Sequence, residues 1–191
     1  MNTVFARIEH VSESVVEPLQ PLATQELPAG ESFEALYRST FPRVYGYVAS
    51  LLRDPAAAED VTAQAFERAY RKRRSFRAAR GSSEAWIFGI ARNAALDELR
   101  KRKRRAGLHG DLEDVSGPEP AEYAELTLRR ETVRAALATL DPHEREIVSL
   151  KFAGGLGNAE IAKVLRISET NAGTRLHRAL EKLRKACDDH A

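Results

Sequence analysis

From about residue 32 onward the apolar positions keep to helical spacing. Phe33, Leu36/Tyr37, Thr40/Phe41, Val44, Val48 and Leu51/Leu52 recur at intervals of three and four, the period of one helix face. Pro42 interrupts this run and predicts a kink or two abutting helices. Asp54-Pro55 reads as an N-cap followed by proline at the first helical position. The next helix is expected over about 55–74, with Ala58, Val61, Ala65, Phe66 and Ala69 on one side. Residues 77–83 are small and cationic and read as a short loop, before a third helix over about 84–105.

After Pro120 a heptad-like series, Tyr123, Leu126, Arg130, Val133, Leu137 and Leu140, predicts a helix with one apolar stripe. Asp141-Pro142-His143-Glu144 starts another, with Asp141 as cap, Pro142 at the first position and Glu144 completing a capping box. Ala153-Gly-Gly-Leu-Gly157 turns the chain. Asn158 is read as the cap of a short helix over 159–165, Arg166-Ile167 as a tight turn, and Ser168 as the cap of a last helix over about 169–186. No strand is needed anywhere, and no repeat recurs at a 20–50-residue period. The expectation is an all-α chain of two small helical domains joined by a flexible linker.

The ends and the middle read differently. Residues 1–31 carry three prolines and no helical or strand period, which predicts a disordered tail. A short strand or partner-binding motif over 11–22 is the alternative there. Residues 106–121 hold three glycines, two prolines and several acids, and read as a flexible acidic linker. The expected domains are therefore 32–105 and 122–187, with 188–191 as a tail.

Composition narrows the function. Of 191 residues 43% are hydrophobic, mean hydropathy is −0.43, and no apolar run approaches a membrane span. No basic start leads into an apolar run, so no secretory signal is expected. The single cysteine, Cys187, excludes an internal disulfide framework and a Cys-based zinc site, and fits a reducing cytoplasm. The five histidines are scattered, and neither a glycine-rich phosphate loop nor a nucleophile elbow is present. The reading is that the chain is not an enzyme, with no catalytic residues, no metal and no cofactor; a helical nuclease is the enzymatic alternative.

Net charge is only +2, but it is unevenly placed. Residues 66–105 hold 14 Lys/Arg against 4 Asp/Glu, residues 106–128 hold six acids and no Lys/Arg, and residues 1–31 hold five acids and one Arg. A basic block between acidic segments suggests a polyanion-binding face, with the acidic linker shielding it in the free protein.

The strongest local signal runs over 142–186: helix, glycine turn, short helix, capped turn and a longer cationic helix, which is helix-turn-helix spacing. On the last helix Ala172, Leu176, Ala179/Leu180 and Leu183 form the apolar stripe. Opposite it lie Thr170, Gly173, Thr174, His177 and Glu181, flanked by Arg175, Arg178, Lys182 and Lys185. Small polar groups near the helix start suit base edges, and flanking cations suit phosphates. A solvated amphipathic helix is the alternative.

These residues resemble the bacterial RNA polymerase sigma factors. Leu140-Asp-Pro-His-Glu-Arg-Glu-Ile-Val148, Gly155-Leu-Gly-Asn-Ala-Glu-Ile-Ala-Lys-Val-Leu-Arg-Ile-Ser168 and Thr174-Arg-Leu-His-Arg-Ala179 look like the family's promoter-reading C-terminal domain. That half alone would also fit response regulators. Phe33 to Arg43, Asp54-Pro-Ala-Ala-Ala-Glu-Asp-Val61 with Phe66, Phe76-Arg77, Trp86-Ile-Phe-Gly-Ile-Ala-Arg-Asn93 and Asp97 to Arg100 resemble the family's N-terminal region. The short linker is that of the compact extracytoplasmic-function (ECF) type within the sigma-70 superfamily.

The resemblance implies an alternative-type sigma factor that binds core polymerase, recognises −10 and −35 elements, and promotes melting and initiation. It places Glu59, Asp60, Val61, Gln64, Ala65 and Phe66 on the clamp coiled coil of the largest polymerase subunit. It places Phe76, Arg77, Arg80, Ser82, Ser83, Trp86 and Asn93 at the −10 DNA, where cations, small polar groups and an aromatic would hold a single strand. Thr170, Gly173, Thr174, Arg175, His177 and Arg178, in the helix-turn-helix of about Asn158 to His177, fall to the −35 duplex. Core packing is the other reading of Trp86 and a plain surface position that of Asn93, while Arg100–Arg105 is expected to make nonspecific phosphate contact, with a solvated helix end as the alternative. Promoter DNA and core polymerase are the expected partners, an anti-sigma factor a further one, and the place of action the cytoplasm, at the nucleoid through the polymerase. The competing function is a free-standing helix-turn-helix regulator. Three positions depart from the family pattern: Gly173 and Gly89 stand where larger residues are usual, and Arg166 where a turn glycine is common.

Overall fold

The protein is represented by a computed structural model that describes residues 32–109, 133 and 135–188. Every element among them is helical. The first half is α1 (Phe33–Leu52), α2 (Pro55–Lys72) and α3 (Ser83–His109), with single 3-10 turns at Arg73–Ser75 and Ala78–Arg80 between the last two. The second half is α4 (Pro142–Phe152), α5 (Asn158–Leu165) and α6 (Glu169–Asp188), led in by a helical run over 135–138.

The helix starts follow local chemistry. Asp54 accepts the Ala57 backbone N–H at 3.1 Å, and Asp141 accepts those of His143 and Glu144 at 2.8 and 2.9 Å. The Glu144 carboxylate returns to the Asp141 N–H at 2.9 Å, completing the box. The amide bonds hold both aspartates below the usual carboxylate range, with Arg102 adding to the effect on Asp54. Ser168 caps α6 through the Asn171 N–H at 3.2 Å.

Three details differ from the sequence reading. Pro42 does not divide α1, which runs as one helix from Phe33 to Leu52. The ring itself is exposed, and buried Leu36, Thr40, Val44, Tyr47 and Val48 hold both sides in one register. The N-cap of α5 is Gly157, not Asn158: the extended backbone falls at Gly157, whose N–H donates to Glu160 Oε2 at 3.0 Å. The third helix continues to His109, past the expected start of the linker. The tail over 1–31, the rest of the linker and the first part of the helix expected from Tyr123 to Leu140 lie outside the described residues.

Within the first half α1, α2 and α3 pack around Leu36, Val44, Val48, Ala58, Ala65, Phe66, Ala69 and Ala91, all buried. Within the second, α4 and α5 close on α6 over Ile147, Ile161, Leu156, Ala172 and Ala179. The two halves are not separate bodies: one hydrophobic cluster runs through both, with α1 packed on α4 and α3 on α5. No helix among the described residues is long and apolar enough to cross a membrane.

Candidate nucleic-acid interface

α5 and α6 form the helix-turn-helix. The turn between them requires a left-handed residue, and Arg166 supplies it at φ 58° and ψ 46°. A non-glycine side chain there costs roughly 1–2 kcal/mol. Arg166 N–H still caps α5 on the Lys163 carbonyl. Behind α6, Ala172, Leu176 and Ala179 are buried, and Leu180 and Leu183 partly so. In front, Thr170, Thr174, Arg175, His177 and Arg178 are exposed, with Gly173 half-buried between them. A Cβ at Gly173 would meet only Asn158 Nδ2 at 3.6 Å, so the glycine is not required by packing. The six expected duplex-facing residues thus share one open face.

The loop between α2 and α3 forms one wall of a cleft of about 470 Å³. Phe76, Arg77, Arg80, Ser82, Trp86 and Asn93 line it from the first half, and Lys163, Val164 and Arg166 from the second. Of the seven residues expected at the single strand only Ser83 is outside this lining; it is buried at the start of α3. Phe76 is buried and its ring lies 5.3 Å from that of half-buried Trp86. The indole therefore combines both readings: packed on one side, lining the cleft on the other. Four cations and no carboxylate line the space, which suits a strand carrying phosphates and unstacked bases.

The acidic face of α2 is only half what the sequence suggested. Glu59, Asp60 and Gln64 are exposed. Val61, Ala65 and Phe66 are buried in the three-helix core, so they shape that face from behind and do not present themselves to a partner. Phe66 packs against Tyr37 and Phe41, with ring centroids 4.9 and 5.5 Å away. The apolar group that reaches the surface of this aromatic cluster is Tyr37, 41% exposed. Its place in the first helix's hydrophobic series concealed it.

Sequence reasoning also missed the residues that join the halves. Glu146, 5% exposed, takes Arg92 in a two-pronged pair at 2.7 and 3.2 Å. It also accepts the Tyr47 hydroxyl at 3.1 Å. Burial first, and the Glu146 carboxylate second, push the Tyr47 phenol well above its ordinary pKa. Arg43 pairs with Glu84 at 3.0 and 3.1 Å and donates to the Gly154 carbonyl at 2.8 Å. Ser50 and Ser149 share a hydrogen bond at 2.7 Å, and Ser82 donates to Glu160 at 2.6 Å. Gly154 is compelled by close approach, because a Cβ there would sit 2.5 Å from the Leu150 carbonyl oxygen. Among the described residues no group of three His, Cys, Asp or Glu side chains is placed to hold a metal.

Comparison with known proteins agrees in both halves. Residues 36–105 match the family model "Sigma-70 region 2" and residues 130–183 match "Sigma-70, region 4". The ECF RNA polymerase sigma factor SigX of Bacillus subtilis (strain 168) is 32% identical over 163 residues, covering 81% of this chain and 83% of its own. The chain belongs to the ECF sigma factors. RNA polymerase sigma factor CarQ of Myxococcus xanthus is 35% identical over 159 residues, 82% of this chain and 90% of CarQ. Among solved structures, the sigma factor RpoE in complex with the anti-sigma factor NepR from Bartonella quintana superposes with a TM-score of 0.70 at 25% identity. It covers 82% of this chain and 96% of RpoE. CnrH in complex with the cytosolic domain of CnrY shares the fold, with a TM-score of 0.63 at 24% identity, over 89% and 97% of the two chains. Members of this family are transcription initiation factors and not enzymes. As an ECF sigma factor the chain serves RNA polymerase and takes part in promoter recognition.

Proposed function

We propose that the two surfaces divide promoter reading between them. The exposed face of α6, from Thr170 to Arg178, enters the −35 major groove. The loop from Phe76 to Ser83, with Trp86 and Asn93, holds the melted −10 strand. Exposed Glu59, Asp60 and Gln64, with Tyr37 where it packs on Phe66 of the same helix, dock the chain on the clamp coiled coil of the polymerase largest subunit. There a basic, partly apolar helix would match acid and phenol together. The domains that do this are residues 32–105 and 122–187, and the chain works in the cytoplasm, at the nucleoid through the polymerase. RpoE of Bartonella quintana is bound by an anti-sigma factor, and we extend that kind of partner to this chain.

The observation that carries the reading is the open, cation-flanked face of α6 in a helix-turn-helix, beside a second cationic surface that contains an aromatic. Duplex and single strand call for those two different surfaces. Core binding has a direct test. Asp60 is exposed on α2, so Asp60→Arg leaves the helix folded by circular dichroism while retention on immobilised core polymerase falls. Unchanged retention would remove this face from the account.

A further inference from the structure

Two of the three positions at which the sequence departs from the family pattern, Gly89 and Arg166, line one space, the cleft beside the Phe76–Ser83 loop. Neither residue is what local structure asks for. Gly89 lies inside α3, where glycine weakens a helix relative to alanine. A Cβ there would meet nothing within 4 Å, so packing does not require the glycine. Arg166 holds a left-handed turn at φ 58°, a conformation that glycine adopts freely and arginine does not. Two locally unfavourable residues that border one cavity point to a use for the cavity. Trp86, Gly89 and Asn93 line it at helical spacing and share a face of α3. The glycine strips the middle of that face and leaves a slot beside the half-buried indole. Across the slot, the exposed side chains of Arg80, Lys163 and Arg166 make no hydrogen bond or ion pair among the described residues. Arg77 is steadied by the Arg74 and Phe76 carbonyls. Glu160 is turned to Ser82 and the Gly157 N–H, and its side chain does not line the cleft.

We propose that this cleft is a binding site for a free nucleoside diphosphate, its base lying over Gly89 against Trp86 and its phosphates among Arg77, Arg80, Lys163 and Arg166. The volume of about 470 Å³ falls within the range of small-molecule sites, roughly 300–1,000 Å³. An indole accepts any base by stacking. Asn93, exposed at the end of the slot, carries both a donor and an acceptor for a base edge. Four cations around one space repel one another, and a diphosphate relieves that repulsion. The planar fork of arginine matches phosphate oxygens two at a time. With no carboxylate in the lining to hold a metal, the protein's own cations neutralise the phosphates. The site differs from the strand-holding surface in taking Lys163 and Arg166 from α5 and the turn after it. A nucleotide bound there would occupy Trp86, Arg77 and Arg80, so its concentration would set how readily the loop takes DNA. That consequence rests on the reading of the loop as the single-strand site; the binding itself does not.

Trp86 is the chain's single tryptophan, so its emission reports the site directly in the full-length protein. ADP, GDP and UDP are titrated separately in the presence of EDTA. At least one should quench the indole with one-site saturation; no saturable change with any of them up to about 1 mM overturns the proposal. The matching nucleoside, and tripolyphosphate without a base, should each bind roughly tenfold or more weakly than the diphosphate. Tripolyphosphate that binds as tightly would make the cleft a bare anion site and overturn the assigned ligand class. Gly89→Leu fills the slot with a better helix former, and Arg166→Gly removes a cation while easing the turn, so both variants keep the helical circular dichroism of the parent. Each should lose roughly tenfold or more in affinity, and undiminished affinity in either contradicts the geometry. A randomised short oligonucleotide without a terminal phosphate is then used as competitor. If it displaces the nucleotide at lower concentration than adenosine monophosphate does, the cleft belongs to a DNA strand and the free ligand is overturned. No polymerase or promoter enters the titration, so its outcome is separate from whether the loop holds the −10 strand.

Discussion

The loop around Arg77–Ser83 and the outer face of α6 are both cationic, yet they stand in different states. Loop side chains are already spoken for: Ser82 by Glu160, Phe76 by Trp86, and Arg77 by the Arg74 and Phe76 carbonyls. On the outer face of α6 Thr174 bonds the Thr170 carbonyl at 2.9 Å and His177 lies 3.4 Å from Glu181, both within the helix, while Lys182 further along reaches Glu144 of α4 at 2.9 Å. A duplex reader needs a rigid protruding face, and a helix backed by buried Leu176 and Ala179 supplies it without rearrangement. A single-strand reader needs a recess lined with cations and aromatics, and such a recess is open to cover by the protein's own second half. The same charge density therefore stands on a protruding face in one half and in a cleft walled by α5 in the other.

The largest expected effect comes from undermining the open surface from behind. Ile161 is fully buried where α5 meets α6. Ile161→Ala should lower stability by about 2–5 kcal/mol, the usual range for a deeply buried aliphatic truncation. Urea denaturation checks this, and a loss under about 1 kcal/mol would mean the site collapses freely.

A smaller, charge-only change sharpens the same comparison. Arg175→Ala with Arg178→Ala, both exposed, should leave stability intact and reduce the slope of log affinity against log salt by roughly 0.9 per lost phosphate contact. Filter binding of promoter duplex to the holoenzyme across a salt series measures it. An unaltered slope would take those cations off the DNA.

Much of this was legible because it is local. Asp54-Pro55, the Asp141–Glu144 box and the Ser168 cap announce helix starts within four residues, and the α6 stripe follows from period alone. The burial of Val61, Ala65 and Phe66 was legible too, as an apolar face. What the pattern could not say was which side of that face meets a partner. Glu146 with Arg92, and Ser82 with Glu160, are 54 and 78 residues apart. Each reads singly as an ordinary solvated polar group, so the union of the halves had no signature in the chain. Gly154 hid in a glycine-rich turn, where its need for close approach looks the same as a need for flexibility.

The smallest effect expected is on acid stability, and it touches both halves alike. Asp54 and Asp141 are held below the ordinary carboxylate range when folded. The unfolded chain therefore binds more protons than the folded one in mild acid, and stability falls as pH drops from the unfolded carboxylate range through the folded values. Asp141→Asn, which keeps a capping oxygen without the charge, should flatten part of that loss in thermal melts between neutral and acid pH. A melt profile identical to the wild type would show that the cap charge does not contribute.

The central claim, that loop and helix read different forms of DNA, is tested most directly by transcription on paired templates. Holoenzyme reconstituted with wild-type chain, with Arg77→Ala plus Arg80→Ala, or with Arg175→Ala plus Arg178→Ala is compared on a duplex promoter and on the same promoter premelted at −10. Permanganate footprints report melting alongside run-off product. The loop variant should fail to melt the duplex and recover on the bubble, whereas the helix variant should lose its −35 dependence on both. Two variants that behave alike on both templates would contradict the division, and leave the chain acting as a single basic surface.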